Sequence, residues 1–347
     1  MKETLSYDDV LLVPQMSKIQ SRSKIDIGNE LNTSNPVAAE ISLALPIISS
    51  PMDTITESDM AVAMSICGGM GIVHRYNSLE EQAIIVAKAK FNNESGNVGA
   101  AVGMTGDYVT RALACKAAGA SVICVDVAHG HHTMMRDCLR HLRDNLGEGT
   151  HIMAGNVATL EAFDALATWG ADSIRVGIGG GSICSTRLVT GHGVPTLQSV
   201  FDCAKTEHDV KIIADGGLKT SGDIVKALAA GADFVMLGSM LAGTDETPGQ
   251  VMVANTGDSY KVYRGMASRS AQNTWRQKSS SPEGISTTVP YKGDVSTVLG
   301  DIVGGIRSGF SYSGASNLQE LHSRAKFVRQ TTGGQSESNT HILGRKW

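Results

Sequence analysis

The sequence lacks most of the features that mark membrane, nucleic-acid-binding and secreted proteins. Lys and Arg number 30 against 34 Asp and Glu, and no long basic run offers a surface for nucleic acid or an anionic membrane. No apolar run approaches the length of a membrane span, and the N-terminus has no uninterrupted apolar signal segment. These absences predict a cytoplasmic protein that acts on a small molecule.

Cysteine and proline are also scarce. The 6 cysteines stand singly, without the close pairs of a zinc knuckle, so we expect reduced and mostly buried thiols rather than a disulfide framework. Only 8 prolines accompany 39 glycines. Abundant glycine is typical of tight turns and of backbone that approaches a ligand closely.

The hydrophobic pattern is a regular alternation that begins at residue 46. Short apolar runs rich in β-branched residues alternate with longer stretches of helical periodicity, which is typical of βα units in a parallel sheet. Eight such units predict a single (β/α)8 barrel over residues 1–347, with no linker between two domains. The predicted strands are 46–50, 71–74, 97–103, 121–126, 151–155, 173–176, 211–214 and 234–237.

Two polar segments interrupt or follow this rhythm. Residues 265–293 show no hydrophobic period and are too long for an ordinary connection, which predicts a mobile active-site flap. The polar tail, residues 331–347, is predicted either to fray or to order against a neighbouring subunit.

Glycine turns follow the last two predicted strands. The loops after the strands form the active site of a barrel, and those after strands seven and eight commonly bind phosphate through backbone N–H groups. Gly216, Gly217 and Gly238 occupy these places and predict a phosphorylated substrate. Asp215, just before them, is a candidate acceptor for sugar hydroxyls, and a helix cap is its alternative role.

A glycine-rich loop after the sixth strand contains Cys184. A lone cysteine is more often buried and inert, but a thiol in this loop is placed to attack an electrophilic carbon of the ligand. Gly179, Gly180 and Gly181 would also let the backbone of this loop present carbonyls to a cation such as K⁺. The glycine spacing is also similar to a dinucleotide-binding fingerprint, but a cysteine loop rather than an obvious helix comes next, so we reject that interpretation.

Taken together, several segments resemble the IMP dehydrogenase and GMP reductase family over nearly the whole chain. Two positions depart from the family pattern: Gly180 stands where a proline is usual, and Ser185 stands where a second threonine is usual. The matching segments, in family order, are residues 50–54, 154–156, 176–187, 214–217, 235–239, 263–266 and 289–293.

The resemblance implies a covalent bond between Cys184 and C2 of a purine nucleotide monophosphate, and hydride exchange with a nicotinamide cofactor. It also implies a homotetramer and a monovalent cation such as K⁺ bound by the carbonyls of Gly179, Gly181 and Cys184. By resemblance, Asp126 and Gly177 bind the cofactor, with Asp126 at the nicotinamide ribose. Ser21, Arg22 and Arg75 lie near its adenosine end from an adjoining subunit. The resemblance assigns the nucleotide to Ser50, Met52, Ser182, Asp215, Gly216, Gly217, Gly238, Ser239, Gly265 and Met266.

The two activities of the family differ in how the Cys184 adduct is resolved. A reductase releases ammonia from GMP with help from a threonine and a glutamate, which Thr186 and Glu283 match, and takes hydride from NADPH. A dehydrogenase oxidises IMP with NAD and hydrolyses the adduct, usually with an Arg-Tyr pair on a long flap. Thr186 and Glu283 have counterparts in many dehydrogenases and do not discriminate.

The flap favours the reductase. The stretch from Gly265 to Glu283 is shorter than a typical dehydrogenase flap, and residues 266–282 contain no tyrosine. No inserted regulatory module of the CBS type separates His74 from Asn97, as in reductases, although some dehydrogenases also lack it. Residues 50–57, 98–103 and 337–341 are more similar to dehydrogenases, so an NAD-dependent IMP dehydrogenase is the alternative.

Overall fold

The computed structural model describes residues 3–33, 40–93, 96–276 and 281–338. Eight parallel strands close into a barrel, in which each strand pairs with its neighbours in the chain and the eighth pairs with the first. The predicted (β/α)8 barrel is confirmed, and every predicted strand overlaps an observed one. From first to eighth, the strands are Ile47–Ser49, Met70–Val73, Val98–Val102, Val122–Asp126, His151–Val157, Ser173–Val176, Lys211–Asp215 and Phe234–Leu237.

Side chains of the strands alternate between the barrel interior and the surrounding helices, as the two-residue period of a strand requires. In the fourth strand, Val122 and Cys124 belong to the interior cluster, whereas Ile123 and Val125 pack in the outer one. The sixth strand places Ile174 and Val176 in the outer cluster. The residue between them, Arg175, therefore points into the interior near the carboxyl end of the barrel.

Helices cover the outside of the barrel, and several begin at side-chain caps. Ser78 and Glu81 form a capping box at one of them, and Thr220 and Asp223 form another. Within the residues that the structure describes, no helix is long and apolar enough to span a bilayer. The helices are Ser58–Ile66, Leu79–Asn92, Tyr108–Ala117, Thr133–Leu146, Leu160–Thr168, Thr186–Thr190, Thr196–Cys203, Ser221–Ala229, Arg269–Arg276, Val295–Ser313, Leu318–Arg324 and Thr332–Glu337.

Three short antiparallel sheets accompany the barrel. Asn29–Glu30 pairs with Ser42–Leu43, and Val10–Leu12 pairs with Phe327–Arg329. The third sheet runs in the order Met252–Val253, Ser259–Arg264, Ser286–Pro290. A bridge between Cys184 and Gly284 joins the segment just before Ser286–Pro290 to the cysteine loop.

The predicted flap is more regular than the sequence suggested. Residues 265–293 contain the helix Arg269–Arg276 and the strand Ser286–Pro290, two elements that the polar sequence did not indicate. The helix forms because it buries Ala271 and Gln272 on one side. The strand forms because its β-branched residues pair with Ser259–Arg264. Residues 277–280 of the flap lie outside the described residues, and its mobility stays a prediction.

The predicted tail also contains local structure. Thr332–Glu337 forms a short helix, and the Thr331 hydroxyl caps it by accepting from the Gly334 N–H at 3.2 Å. Residues 339–347 of the tail lie outside the described residues.

Candidate active site

A cavity of about 490 Å³ opens at the carboxyl ends of the barrel strands. Its lining includes every residue that the sequence assigned to the nucleotide, together with Cys184, Thr186 and Glu283. Three of the residues assigned to the cofactor, Arg75, Asp126 and Gly177, line the same cavity, so Arg75 lies beside Asp126 of its own chain and not apart from it as expected from the sequence. The fold therefore brings the sequence-predicted site together from loops that are far apart in the chain.

Cys184 is the exposed cysteine of the chain. Its Sγ lies 3.2 Å from Thr186 Oγ1, in the cavity wall. All six cysteines are free, and four of the others are buried. Burial raises the pKa of the Cys124, Cys138 and Cys203 thiols to about 12, which keeps them protonated and inert at neutral pH. Geometry thus separates Cys184 from the structural cysteines, as the sequence predicted.

Backbone hydrogen bonds hold Glu283 beside the cysteine loop. The Ser185 N–H donates to the Glu283 carbonyl at 2.9 Å, and the Ile285 N–H donates to the Ile183 carbonyl at 3.0 Å. On its other side, Glu283 N–H donates to the Ala267 carbonyl at 3.1 Å. The carboxyl group of Glu283 and the hydroxyl of Thr186 therefore sit on two segments that are bonded to each other next to the thiol.

Arg175 joins two of the predicted binding carboxylates. Its Nη1 donates to Asp126 Oδ1 at 2.5 Å and its Nη2 to Asp215 Oδ2 at 2.8 Å. Burial alone would lower the pKa of the Arg175 guanidinium, but the Asp215 and Asp126 carboxylates outweigh it and the pKa is raised. Asn156 Nδ2 also donates to Asp215 Oδ2 at 2.8 Å. A cation and an amide thus fix the orientation of both carboxylates toward the cavity.

The alternative role of Asp215 as a helix cap is wrong. The next helix, Ser221–Ala229, is capped by Thr220, whose hydroxyl accepts from the Asp223 N–H at 3.2 Å. Asp215 is the last residue of its strand and is bonded within the site, so its side chain cannot reach that helix end.

Sequence reasoning missed Arg175, Asn156 and Tyr263 as site residues. A charged residue inside an otherwise apolar strand is a signal that could have identified Arg175, because a buried charge needs a partner. Tyr263 is 4% exposed, and its hydroxyl lies beside the glycine turn at Gly238, 3.1 Å from where a Cβ of that residue would be. Burial raises the pKa of Tyr263 to about 12, so this hydroxyl is a neutral donor at the phosphate-type end of the cavity.

The predicted cation site coincides with a tight turn. The Gly181 carbonyl accepts from the Cys184 N–H at 3.1 Å, so one of its lone pairs is engaged. The departure at Gly180 has a local reason, because a Cβ there would lie 2.4 Å from Thr196 Oγ1. The assignment of a monovalent cation to Gly179, Gly181 and Cys184 stays a prediction.

Two of the predicted cofactor residues lie apart from this cavity in their own chain. The Ser21 hydroxyl accepts from the Ser23 N–H at 3.4 Å, at a short turn that packs on the helix Val295–Ser313. The Arg22 guanidinium lies 6.0 Å from the centre of the Tyr312 ring. Their assignment from an adjoining subunit stays a prediction.

The fold and site define a (β/α)8-barrel protein that presents an exposed thiol to a cavity lined by glycine turns. A sequence model described as the IMP dehydrogenase / GMP reductase domain matches residues 4–341. The chain belongs to this family of oxidoreductases.

Relatives named for each of the two activities are similar to this chain over nearly their whole length. Inosine-5'-monophosphate dehydrogenase of Nitrosopumilus maritimus is 33% identical over 98% of each chain. GMP reductase of Leishmania donovani is 34% identical over 99% of this chain and 98% of the relative. A crystal structure of GMP reductase from Trypanosoma brucei in complex with guanosine 5'-monophosphate matches with a TM-score of 0.90 at 32% identity, covering 98% of both chains. The comparisons establish the family and are compatible with either activity.

Proposed function

We propose that this protein is a GMP reductase, which converts GMP to IMP and ammonia with hydride from NADPH. The composition of the flap carries the proposal: residues 266–282 contain no tyrosine and no Arg-Tyr pair to activate water against a Cys184 adduct. The observed flap places Trp275, not a tyrosine, at the end of its helix, where the indole binds Asp53. Hydride rather than water then resolves the adduct.

The cavity divides into parts that suit GMP. Backbone N–H groups at Gly216, Gly217 and Gly238, with the Tyr263 and Ser182 hydroxyls, supply donors for the phosphate. Asp215 lines the cavity, and Arg175 and Asn156 both bind its Oδ2. Its carboxylate accepts from ribose hydroxyls. Met266, Glu283 and the other flap residues that line the cavity contact the purine base.

The chemistry begins with Cys184. Its thiolate adds to C2 of GMP, and the bond between C2 and the exocyclic nitrogen then breaks. Thr186 and Glu283 deliver a proton to the departing amine, which leaves as ammonia. With a hydride supplied at C2, the C2–S bond would break and release IMP and the Cys184 thiolate.

The chain has groups that fit a nicotinamide nucleotide next to the thiol. Asp126 is an acceptor for ribose hydroxyls, and Arg75 lies close to it, with 3.7 Å between Arg75 Nε and Asp126 Oδ2. NADPH bound there would supply the hydride. On family grounds we also propose a cytoplasmic homotetramer in which Ser21 and Arg22 complete the cofactor site of a neighbour, and a monovalent cation such as K⁺ at the cysteine loop.

Two assays separate the reductase from the dehydrogenase. Purified protein is incubated with GMP and NADPH, and separately with IMP and NAD, while the absorbance of the reduced nicotinamide is followed. We expect NADPH consumption with GMP. Reduction of NAD by IMP without NADPH consumption would establish the alternative, an IMP dehydrogenase. Silence in both assays together with tight nucleotide binding would instead indicate a binding protein without turnover.

The nucleophile is tested by Cys184→Ala. This variant should lose turnover in either assay while its affinity for GMP changes little, because the phosphate and ribose contacts remain. Cys67→Ala is the matched control, since Cys67 is partly exposed but does not line the cavity. Turnover by Cys184→Ala comparable to that of the control would exclude covalent catalysis by this thiol.

A further inference from the structure

Asp53 lies in the loop after the first barrel strand, next to residues that line the cavity, yet does not line it itself. It is 8% exposed, and its carboxylate receives donors from two other elements. Arg264 Nε donates to Oδ2 at 3.0 Å, and Arg264 Nη2 donates to the same oxygen. Trp275 Nε1 also donates to Oδ2, at 2.7 Å. One buried carboxylate therefore binds both the end of the strand Ser259–Arg264 and the end of the helix Arg269–Arg276.

Arg264 extends this connection to the flap helix. Its Nη1 donates to Ser270 Oγ at 3.0 Å and to Thr274 Oγ1 at 3.3 Å. The Arg264 guanidinium is thus held between the Asp53 carboxylate and two hydroxyls of the helix. The backbone N–H of Asp53 also lies 3.4 Å from Met266 Sδ, which belongs to the cavity wall.

A ladder of backbone hydrogen bonds leads from this cluster to the thiol. The Gly265 N–H, adjacent to Arg264, donates to the Ile285 carbonyl at 3.0 Å. The Ile285 N–H in turn donates to the Ile183 carbonyl at 3.0 Å, and Cys184 follows Ile183 directly. The segment 283–285 therefore lies between the segment that Asp53 anchors and the loop that carries the nucleophile.

We propose that Asp53 is a positioning residue for Cys184 and Glu283, acting through Arg264, Trp275 and this backbone ladder. Without the Asp53 carboxylate, the Arg264 guanidinium loses its anionic partner, although the Arg264 side chain is only 16% exposed. The segment that begins at Gly265 then loses its anchor. A displacement of about 1 Å between reacting atoms costs on the order of 100-fold in rate. The phosphate turns belong to other strands and are not bonded to Asp53, so the phosphate contacts of the nucleotide are preserved and most of its affinity with them.

The test is Asp53→Asn, which keeps the shape of the side chain and removes its charge. The matched control is Asp59→Asn, a surface aspartate in the following helix with a side chain that is 68% exposed and paired with Lys88. For the kinetic readout the inference rests on the proposed function, although it applies to either reaction of the family because both use Cys184. We expect kcat of Asp53→Asn to fall about 100-fold with KM for the nucleotide within about threefold, and no change in the control.

A second readout does not require turnover. Alkylation of Cys184 by iodoacetamide is measured by mass spectrometry against Cys67 in the same molecule, at a temperature where circular dichroism shows every variant folded. We expect the alkylation rate of Cys184 in Asp53→Asn to differ several-fold from that in the wild type, because the exposed thiol owes its reactivity to the way its loop is held beside Thr186. If the wild type turns over neither nucleotide, the proposed function fails while this measurement still decides the role of Asp53.

Trp275→Phe provides a milder change should Asp53→Asn fail to fold. It removes one hydrogen bond to the carboxylate, and kcat should fall about fivefold. A lower melting temperature with wild-type kcat and wild-type alkylation of Cys184, in whichever of the two variants folds, would show that Asp53 only stabilises the fold and would overturn the proposal. An equal loss of kcat in Asp59→Asn would do so as well.

Discussion

Replacing Arg175 with methionine should weaken the binding of both the nucleotide and the cofactor. Arg175 is the shared partner of Asp126 and Asp215, the carboxylates proposed to accept from the two riboses. Methionine has a similar length and no charge, so the variant leaves two carboxylates facing each other across the cavity floor. Without the guanidinium they repel and turn away from their binding positions.

The magnitude follows from the burial of the three groups. Removing one partner from a buried ion pair costs about 3–5 kcal/mol, because the remaining charge stays buried without compensation. The side chains of Asp126 and Asp215 are 16% and 15% exposed, so water in the cavity relieves part of this cost. We therefore expect a loss of about 3 kcal/mol in the free energy of unfolding. Loss of about 1.4 kcal/mol of binding at each carboxylate corresponds to a tenfold rise in KM for GMP and for NADPH.

Arg143 provides a matched control at the other end of the barrel. Its Nη2 donates to Asp172 Oδ2 at 2.7 Å, and its side chain is 15% exposed. Asp172 precedes the sixth strand, away from the cavity, so Arg143→Met should lose similar stability without a change in either KM. Urea denaturation and steady-state kinetics on both variants measure these quantities. Equal KM values for wild type and Arg175→Met, or equal KM increases in the two variants, would refute the reasoning.

Two further predictions concern stability and backbone geometry. Burial lowers the pKa of His151 from 6.5 to about 4, so the unfolded chain binds a proton that the folded chain does not between these values. The contribution of His151 to stability is therefore complete above pH 6.5 and falls as the pH drops, by about 2 kcal/mol at pH 5. Urea denaturation should show this loss in wild type and in the control His208→Gln but not in His151→Gln, and an unchanged pH dependence in His151→Gln would contradict it. Gly177→Ala should abolish activity, because a Cβ there would lie 2.0 Å from the Asp215 carbonyl. Gly191→Ala, where a Cβ meets nothing within 4 Å and only the positive φ is strained, should cost about 1 kcal/mol of stability and leave kcat nearly unchanged; an active Gly177→Ala would show that the two loops can separate without harm.

The barrel was predictable because its signal is local and repeated. Each strand is a short buried run that alternates with a helical stretch. The prediction of a barrel rests on the repetition of this alternation, so one strand that broke the pattern would not have changed it. The flap was not predictable in the same way. The helix Arg269–Arg276 is held by Arg264, which in turn binds Asp53, more than 200 residues away in the chain. These polar contacts produce no hydrophobic periodicity in the flap sequence. Polar segments that fold on distant charged partners are read from sequence as loops for this reason.

The site was predictable where glycine, cysteine or a resemblance marked it, and not where a residue acts through another side chain. Cys184 and the turns at Gly216, Gly217 and Gly238 were identified because their position after barrel strands carries meaning by itself. Arg175 and Asp53 were missed because each works by holding other charged groups. Their partners are separated by tens to hundreds of residues, and only the folded chain brings them together.

In the proposed mechanism both activities of the family use the same thiol, phosphate turns and ribose carboxylates, so these groups do not distinguish them. The two activities would differ in what reaches C2 of the Cys184 adduct. We propose that the segment from Gly265 to Glu283 decides this. In this chain Arg264 and Trp275 connect the described part of that segment to Asp53, and its sequence contains no tyrosine. A longer flap with an Arg-Tyr pair can be grafted into this chain so that Arg264 and Trp275 are kept. We expect the graft to hydrolyse the adduct only if Asp53 is also retained.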